Sequence, residues 1–200
     1  MRHARRVAAS AFMLVAALFV AGCAGQYTVF GPTEGATVKP GSLAVVCGLG
    51  DELTVAFAQQ VTQELQADSK FIVTPQKQIT AKFSSYPTTI IDDPAKFSDA
   101  DRSKFDKIQK GLGVDYILVL WTYNSGSQSG SAVLGTNLHF SVGGRLLAYP
   151  GARDAGMSDF AYEMGQLFKS QEETTHQMIV NASHELVTEF LKKTGTSKEN

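Results

Sequence analysis

Nine residues, Asp115-Tyr116-Ile117-Leu118-Val119-Leu120-Trp121-Thr122-Tyr123, limit what this chain can fold into. From Ile117 to Trp121 every position is apolar, and the stretch is rich in β formers. A strand apolar at consecutive positions must be covered on both faces, which makes it the central strand of a sheet.

The rest of the chain supplies the covering elements. Leu43-Ala44-Val45-Val46-Cys47 is a second continuous apolar run and reads as a buried strand. Gly48-Leu49-Gly50 breaks it, and Asp51 is placed to cap a helix. Leu53, Phe57, Val61 and Leu65 then recur every fourth residue, one face of an amphipathic helix. Phe71-Ile72-Val73-Thr74-Pro75 is a further strand. Strand, helix, strand is a βαβ unit, with a parallel pair and a right-handed crossover. Gln76 to Lys96, with Pro87, Asp92-Asp93 and Pro94, reads as an exposed excursion. Ser98 and Asp101 form a capping-box-like start to a second helix with Phe105, Ile108 and Leu112 on its buried stripe, closed by Gly111 and Gly113.

Beyond the central strand, Asn124 to Ser131 is polar and Gly/Ser-rich, the composition of a flexible connection. Leu138, Phe140 and Val142 alternate as a half-exposed strand, Gly143-Gly144 marks a bend, and Arg145 to Tyr149 continues it. Pro150 to Gly156 reads as a turn, with Ser158 to Tyr162 returning antiparallel. Met178, Ile179, Ala182, Leu186, Val187, Phe190 and Leu191 give a long amphipathic helix ending at Gly195. The expected fold is α/β with an α+β tendency: a mixed sheet opened by a βαβ unit, then a β-meander and a C-terminal helix. The expected division is a leader over 1–22, a lipidated N-terminus and tether over 23–42, one domain over 43–195 and a frayed tail over 196–200. Within the tether, Tyr27 to Phe30 is compatible with a short edge strand.

The N-terminus carries an address. Arg2, Arg5 and Arg6 precede an uncharged, almost wholly small or apolar run from Val7 to Val20, followed by Ala21, Gly22 and Cys23. The run falls short of the roughly 20 residues a helical span needs and has the flanks of a secretory signal. Val20-Ala21-Gly22-Cys23 resembles the lipobox of bacterial lipoproteins, with Val20 where Leu is commonest. The resemblance implies S-diacylglycerol and N-acyl (palmitate-type) modification of Cys23 after cleavage before it. Several buried acyl chains hold firmly where one holds marginally. Ala24 follows in place of the Asp that marks inner-membrane retention in Gram-negative lipoproteins. This resembles the outer-membrane case: anchorage in the inner leaflet, facing the periplasm.

Composition narrows the function. Of 18 basic residues three, Arg2, Arg5 and Arg6, lie in the leader, which leaves 15 against 19 acidic ones, a mature charge of about −4. No nucleic-acid footprint follows, and no polybasic patch to assist membrane binding. With Cys23 lipidated, Cys47 has no partner in the chain, and its apolar setting reads as a small buried hydrophobe. Gly48-Leu49-Gly50 lacks the further Gly of a dinucleotide loop, since Leu53 stands there, and Asp51 and Glu52 would repel phosphate. His139, His176 and His184 lack partners at metal-ligand spacing. Gly126 to Gly130 lies in the polar connection, away from any strand-to-helix turn a nucleophile would need. Asp92, Asp93, Asp154 and Asp159 read as solvated loop charges. No enzyme activity, cofactor or metal is expected. Trp121, Tyr123 and Tyr149, with Tyr116, gather on or near the sheet. Core packing is the favoured reading, and any of the three that is exposed becomes a possible partner surface.

The element order resembles a group of small bacterial envelope domains. The group includes the amino-terminal domain of TolB, the lipoprotein activators of penicillin-binding proteins and the periplasmic part of the curli secretion lipoprotein. The likeness rests on Leu43 to Val46, on Gly111-Leu112-Gly113-Val114-Asp115-Tyr116-Ile117-Leu118 entering a strand, and on the hairpin from Leu138 to Gly151. The long Pro-rich arm of the penicillin-binding-protein activators is missing. The resemblance implies a lipid-anchored module that binds or helps assemble another envelope protein. The alternatives are a subunit of an outer-membrane secretion or channel assembly, and a small-ligand binder.

Overall fold

The computed structural model describes residues 28–87, 90–91, 96–129, 136–166 and 170–198. The leader, Cys23 and the loop carboxylates Asp92 and Asp93 lie outside the described residues. The elements are β1 (Thr28–Pro32), β2 (Ser42–Cys47), α1 (Glu52–Asp68), β3 (Ile72–Thr74), α2 (Gln76–Lys82), α3 (Asp99–Leu112), β4 (Tyr116–Ser129), β5 (Thr136–Ala148), β6 (Arg153–Gln166) and α4 (Gln171–Thr194). The described strands form one six-stranded sheet in the order β1-β6-β5-β4-β2-β3. β2 is parallel to both β3 and β4, and the remaining pairs are antiparallel. The fold is therefore α/β with a mixed sheet, a βαβ opening, a meander and a C-terminal helix.

Local chemistry sets the helix ends. Asp51 accepts the Thr54 N–H at 2.9 Å and starts α1. Ser98 with Asp101, and Ser170 with Glu173, close complete capping boxes on α3 and α4. Both helices stop at a left-handed glycine, Gly113 at φ 72° and Gly195 at φ 65°, where a side chain would be strained.

Register sorts the sheet into two faces. Leu118, Leu120 and Thr122 share one with Phe140 and Val142, and α1 and α4 lie on it. Phe57 meets Phe140 edge-on at 6.3 Å, and Phe190 meets Phe30 at 5.0 Å and Phe71 at 5.8 Å. Ile117, Val119 and Trp121 look the other way, toward the side where Arg145 lies over the Phe97 ring at 4.8 Å and Phe97 stacks on Phe105 of α3. The central strand is thus buried on both faces along Ile117 to Trp121.

Four stretches differ from their reading in the sequence. β4 continues through Ser129, so Asn124 to Ser129 is paired strand. Ser127, Gln128 and Ser129 lie opposite Leu138, Asn137 and Thr136, past a bulge that follows Asn124. Backbone pairing with a partner strand overrides a weak local propensity. β6 begins at Arg153, inside the expected turn, and its Asp154 is no solvated loop charge: it bridges Arg102 at 2.9 Å and Arg145 at 3.3 Å. The excursion after Thr74 contains α2. Finally, Thr196 to Lys198, read as the start of a frayed tail, are docked. The Lys198 N–H donates to Asp68 O, its Nζ caps the carbonyls of Gln66 and Ala67, and Thr196 is fully buried. They satisfy carbonyls that the end of α1 leaves open.

Candidate functional site

In open α/β sheets, ligands bind outside the carboxyl ends of parallel strands. Here that position, beyond Cys47 and Leu120, is filled by the chain itself. Gly48 O accepts the N–H groups of Ile90 (2.8 Å) and Ile91 (3.0 Å). The Ile91 side chain lies against Gly48 so closely that a Cβ there would sit 2.6 Å from it. The polar groups nearby are consumed internally. Thr54 Oγ1 donates to Asp51 Oδ2 at 2.7 Å and accepts the Thr122 N–H at 3.0 Å. The Cys47 N–H donates to Tyr86 Oη, whose hydroxyl lies 2.9 Å from Gln76 Oε1 and 3.2 Å from Cys47 Sγ. Gln76 Nε2 in turn donates to Val45 O and Thr62 Oγ1, both at 2.8 Å. Burial pushes the Cys47 thiol up to about 11, with a smaller opposing effect from Tyr86, so it stays protonated at neutral pH. Burial likewise raises Tyr86. This cluster locks the α2 segment onto β2.

A groove of about 370 Å³ between the C-terminal ends of α1 and α4 is lined by Asp68, Thr188, Lys192 and Lys198. Lys198 is committed to the helix carbonyls there. Among the described residues no three His, Cys, Asp or Glu side chains converge as a metal site, and no helix is long and apolar enough to cross a membrane.

The surface is more informative. Four large hydrophobic side chains are exposed among the described residues: Ile72 (77%), Met157 (48%), Tyr149 (47%) and Tyr123 (39%). Register puts Ile72 and Tyr149 in one row and Met157 and Tyr123 in two separate rows. Ile72 lies opposite Ser42, next to Leu43, the residue that faces Tyr116, and Tyr149 N–H bonds Asp115 O just before Tyr116. Ile72 and Tyr149 therefore occupy one end of the sheet, where β4 begins. Tyr123 lies midway along β4, and Met157 lies on β6 in a row between those of Tyr149 and Tyr123; both share the face that carries Arg145. Val119, Arg145 and Met157 form one cross-strand row, and Tyr123 begins another, four residues further along β4.

The three aromatic residues singled out in the sequence do not form one patch. Trp121 is 6% exposed. Its indole lies across Gly143, where a Cβ would collide with it, so Trp121 belongs to the core. Tyr123 and Tyr149 are exposed about eight rows apart, Tyr123 midway along β4 and Tyr149 beside its start. Ile72 and Met157 escaped sequence reading for separate reasons. Ile72 sits in an apolar run that looks buried until β3 proves to be an edge strand. Met157 follows a stretch that reads as a turn.

The β4 end is held by Asp115, which follows the Gly113-Val114 approach to the strand. Asp115 Oδ2 accepts the Ser42 N–H (2.8 Å) and hydroxyl (2.7 Å), and Ser42 Oγ accepts the Asp115 N–H (2.9 Å). These bonds hold the Asp115 carboxyl below the usual range.

No family model and no curated protein sequence matches the chain. Among solved structures the chain is similar to a lipoprotein, GNA1162, from Neisseria meningitidis, at 16% identity over 75% of this chain and 99% of that one, with a TM-score of 0.49. It is similar to PelC, a dodecamer from Paraburkholderia phytofirmans, at 10% identity over 78% and 95% of the two chains, with a TM-score of 0.46. A minor lipoprotein from Acinetobacter baumannii gives 10% identity over 74% and 91%, with a TM-score of 0.43.

Proposed function

We propose that this chain is a bacterial envelope lipoprotein, anchored through acylated Cys23 to the inner leaflet of the outer membrane. Its periplasmic α/β domain serves as a non-catalytic module that binds or helps assemble another envelope protein. The observation that carries the reading is the order of the N-terminal residues: three arginines, an uncharged apolar run, two small residues and Cys23, with Ala24 after it. The exposed Ile72 and Tyr149 at one end of the sheet supply an apolar surface for a protein partner.

One observation favours a second reading, a subunit of an outer-membrane secretion or channel assembly. β4 and β5 are 14 and 13 residues long, more than the roughly 9–11 a membrane strand needs. Against it, Asn124 to Ser129 is polar or glycine at every position and offers no apolar row to lipid.

The test compares wild type with Cys23→Ala by membrane fractionation and crosslinking. The proposal expects the wild type in the membrane fraction with a crosslinked envelope protein that Ile72→Ser or Tyr149→Ser removes, and the variant soluble. Identical fractionation of the two chains would overturn the anchor.

A further inference from the structure

On the face of the sheet that carries Arg145, four residues of β5 and β6 form a square. Arg145 is paired with Met157, and Gly143 with Asp159, in a regular stretch of the β5–β6 ladder. Residues two apart on a strand point to the same side, so all four stand on one face. The Arg145 guanidinium lies over the Phe97 ring. Met157, 48% exposed, and Asp159 are open to solvent. The square is shallow, because Gly31 of β1 lies beside Met157 and Gly143 carries only the Trp121 indole above it.

The two charged corners are not matched within the chain. Arg145 Nη1 donates to Asp154 Oδ1 at 3.3 Å, and Asp154 is already held by Arg102 at 2.9 Å. Arg145 Nε and Nη2 have no acceptor among the described residues, and the side chain is 22% exposed. The Asp159 carboxylate likewise has no hydrogen-bond or ion-pair partner among them. Arg145 and Asp159 are diagonal neighbours on the ladder, roughly 7–8 Å apart, but the guanidinium turns away toward Asp154 and Phe97. An unmatched cation and an unmatched anion thus stand on either side of Met157.

We infer that this face packs against the same face of a second copy of the chain. The other diagonal of the square runs from Met157 to Gly143. A two-fold axis along it, in the plane of contact, exchanges the Arg145 and Asp159 corners. Each Arg145 then meets the second copy's Asp159, so that two ion pairs flank a Met157–Met157 contact on the axis. A copy laid on with Arg145 over Arg145 would set like charges together, so the charge pattern selects one orientation. Methionine adapts its shape to such a contact, and the glycines let the two sheets approach. The inference does not depend on acylation of Cys23.

The full-length chain in a neutral detergent tests this. Sedimentation equilibrium should give the mass of two copies. Asp159→Lys, an exposed change that leaves the core intact, should lower the dimer fraction severalfold at a given concentration. Under mild oxidation, Met157→Cys should form a disulfide between copies severalfold faster than Tyr149→Cys, a residue of similar exposure outside the square. The parent chain, with Cys23 and the buried Cys47, is the blank. Adding Asp159→Lys to Met157→Cys should remove that advantage. A single-copy mass at every concentration would overturn the inference and leave this face to a different partner. Equal crosslinking at 157 and 149, or a dimer that Asp159→Lys leaves intact, would also overturn it by placing the contact elsewhere.

Discussion

The two ends of the sheet are built by different means. Where β4 begins, strands are tied by side chains: Asp115 to Ser42, Gln109 to Asp115 O, and the Tyr116 hydroxyl to the Lys39 N–H. Where β4 runs on past β2, strand pairing and apolar packing do the holding, with Trp121 across Gly143 and Phe57 on Phe140. Ile72 and Tyr149 are exposed where β4 begins and Tyr123 where it runs on, while Met157 lies between them on β6. The lesson is that exposure alone does not define one surface.

Phe190 joins the ends, since it touches both Phe30 of β1 and Phe71 before β3. Phe190→Ala should cost about 3–5 kcal/mol, read by chemical denaturation. A cost near that of a surface substitution would mean that the two ends fold independently. Gly143→Ala should cost about 1–3 kcal/mol, because the methyl must displace the Trp121 indole. It should also alter the near-ultraviolet signal of the only tryptophan in the chain. A fluorescence and stability profile like wild type would remove the packing account of that end.

At the other end, Asp115→Ala should cost about 1 kcal/mol at neutral pH, a modest value because solvent reaches the site. The sign of its pH dependence follows from the lowered carboxyl. The native state holds this group deprotonated more strongly than the unfolded chain does, so its contribution is complete above the ordinary value of 3.8. It fades as pH falls through the lower folded value. Thermal melts of wild type and Asp115→Asn should therefore converge in acid, and a gap that widens there would contradict the assignment. The smallest effect on stability is expected from Ile72→Ser and Tyr149→Ser, within about 0.5 kcal/mol, because neither side chain is packed in the core. Both should weaken partner crosslinking, and wild-type crosslinking in both would remove the apolar surface at this end as a partner site.

Much of the fold was legible because strong local signals agreed with the tertiary result. The capping box at Ser98 and the N-cap at Asp51 stand where side-chain spacing puts them, and left-handed Gly113 and Gly195 close α3 and α4 as expected, while Gly111, also read as closing α3, lies within it. Asn124 to Ser129 was illegible for the opposite reason. Its residues have no strand preference of their own, and only the partner strand β5 makes them a strand. Thr196 to Lys198 likewise carry no local signal, since what orders them is the open end of a helix far away in the sequence.

The same division holds for function. The amino-acid order alone determined the alternation that makes a covered sheet, the helix ends and the resemblance to a lipobox at Cys23, because each depends on neighbours a few residues apart. Only the tertiary structure decided that Trp121 is core while Tyr123 is surface, that Ile72 is on an edge, and that Asp154 is shared by two arginines. Those outcomes depend on which strands lie side by side, a matter of long-range pairing that no local pattern encodes.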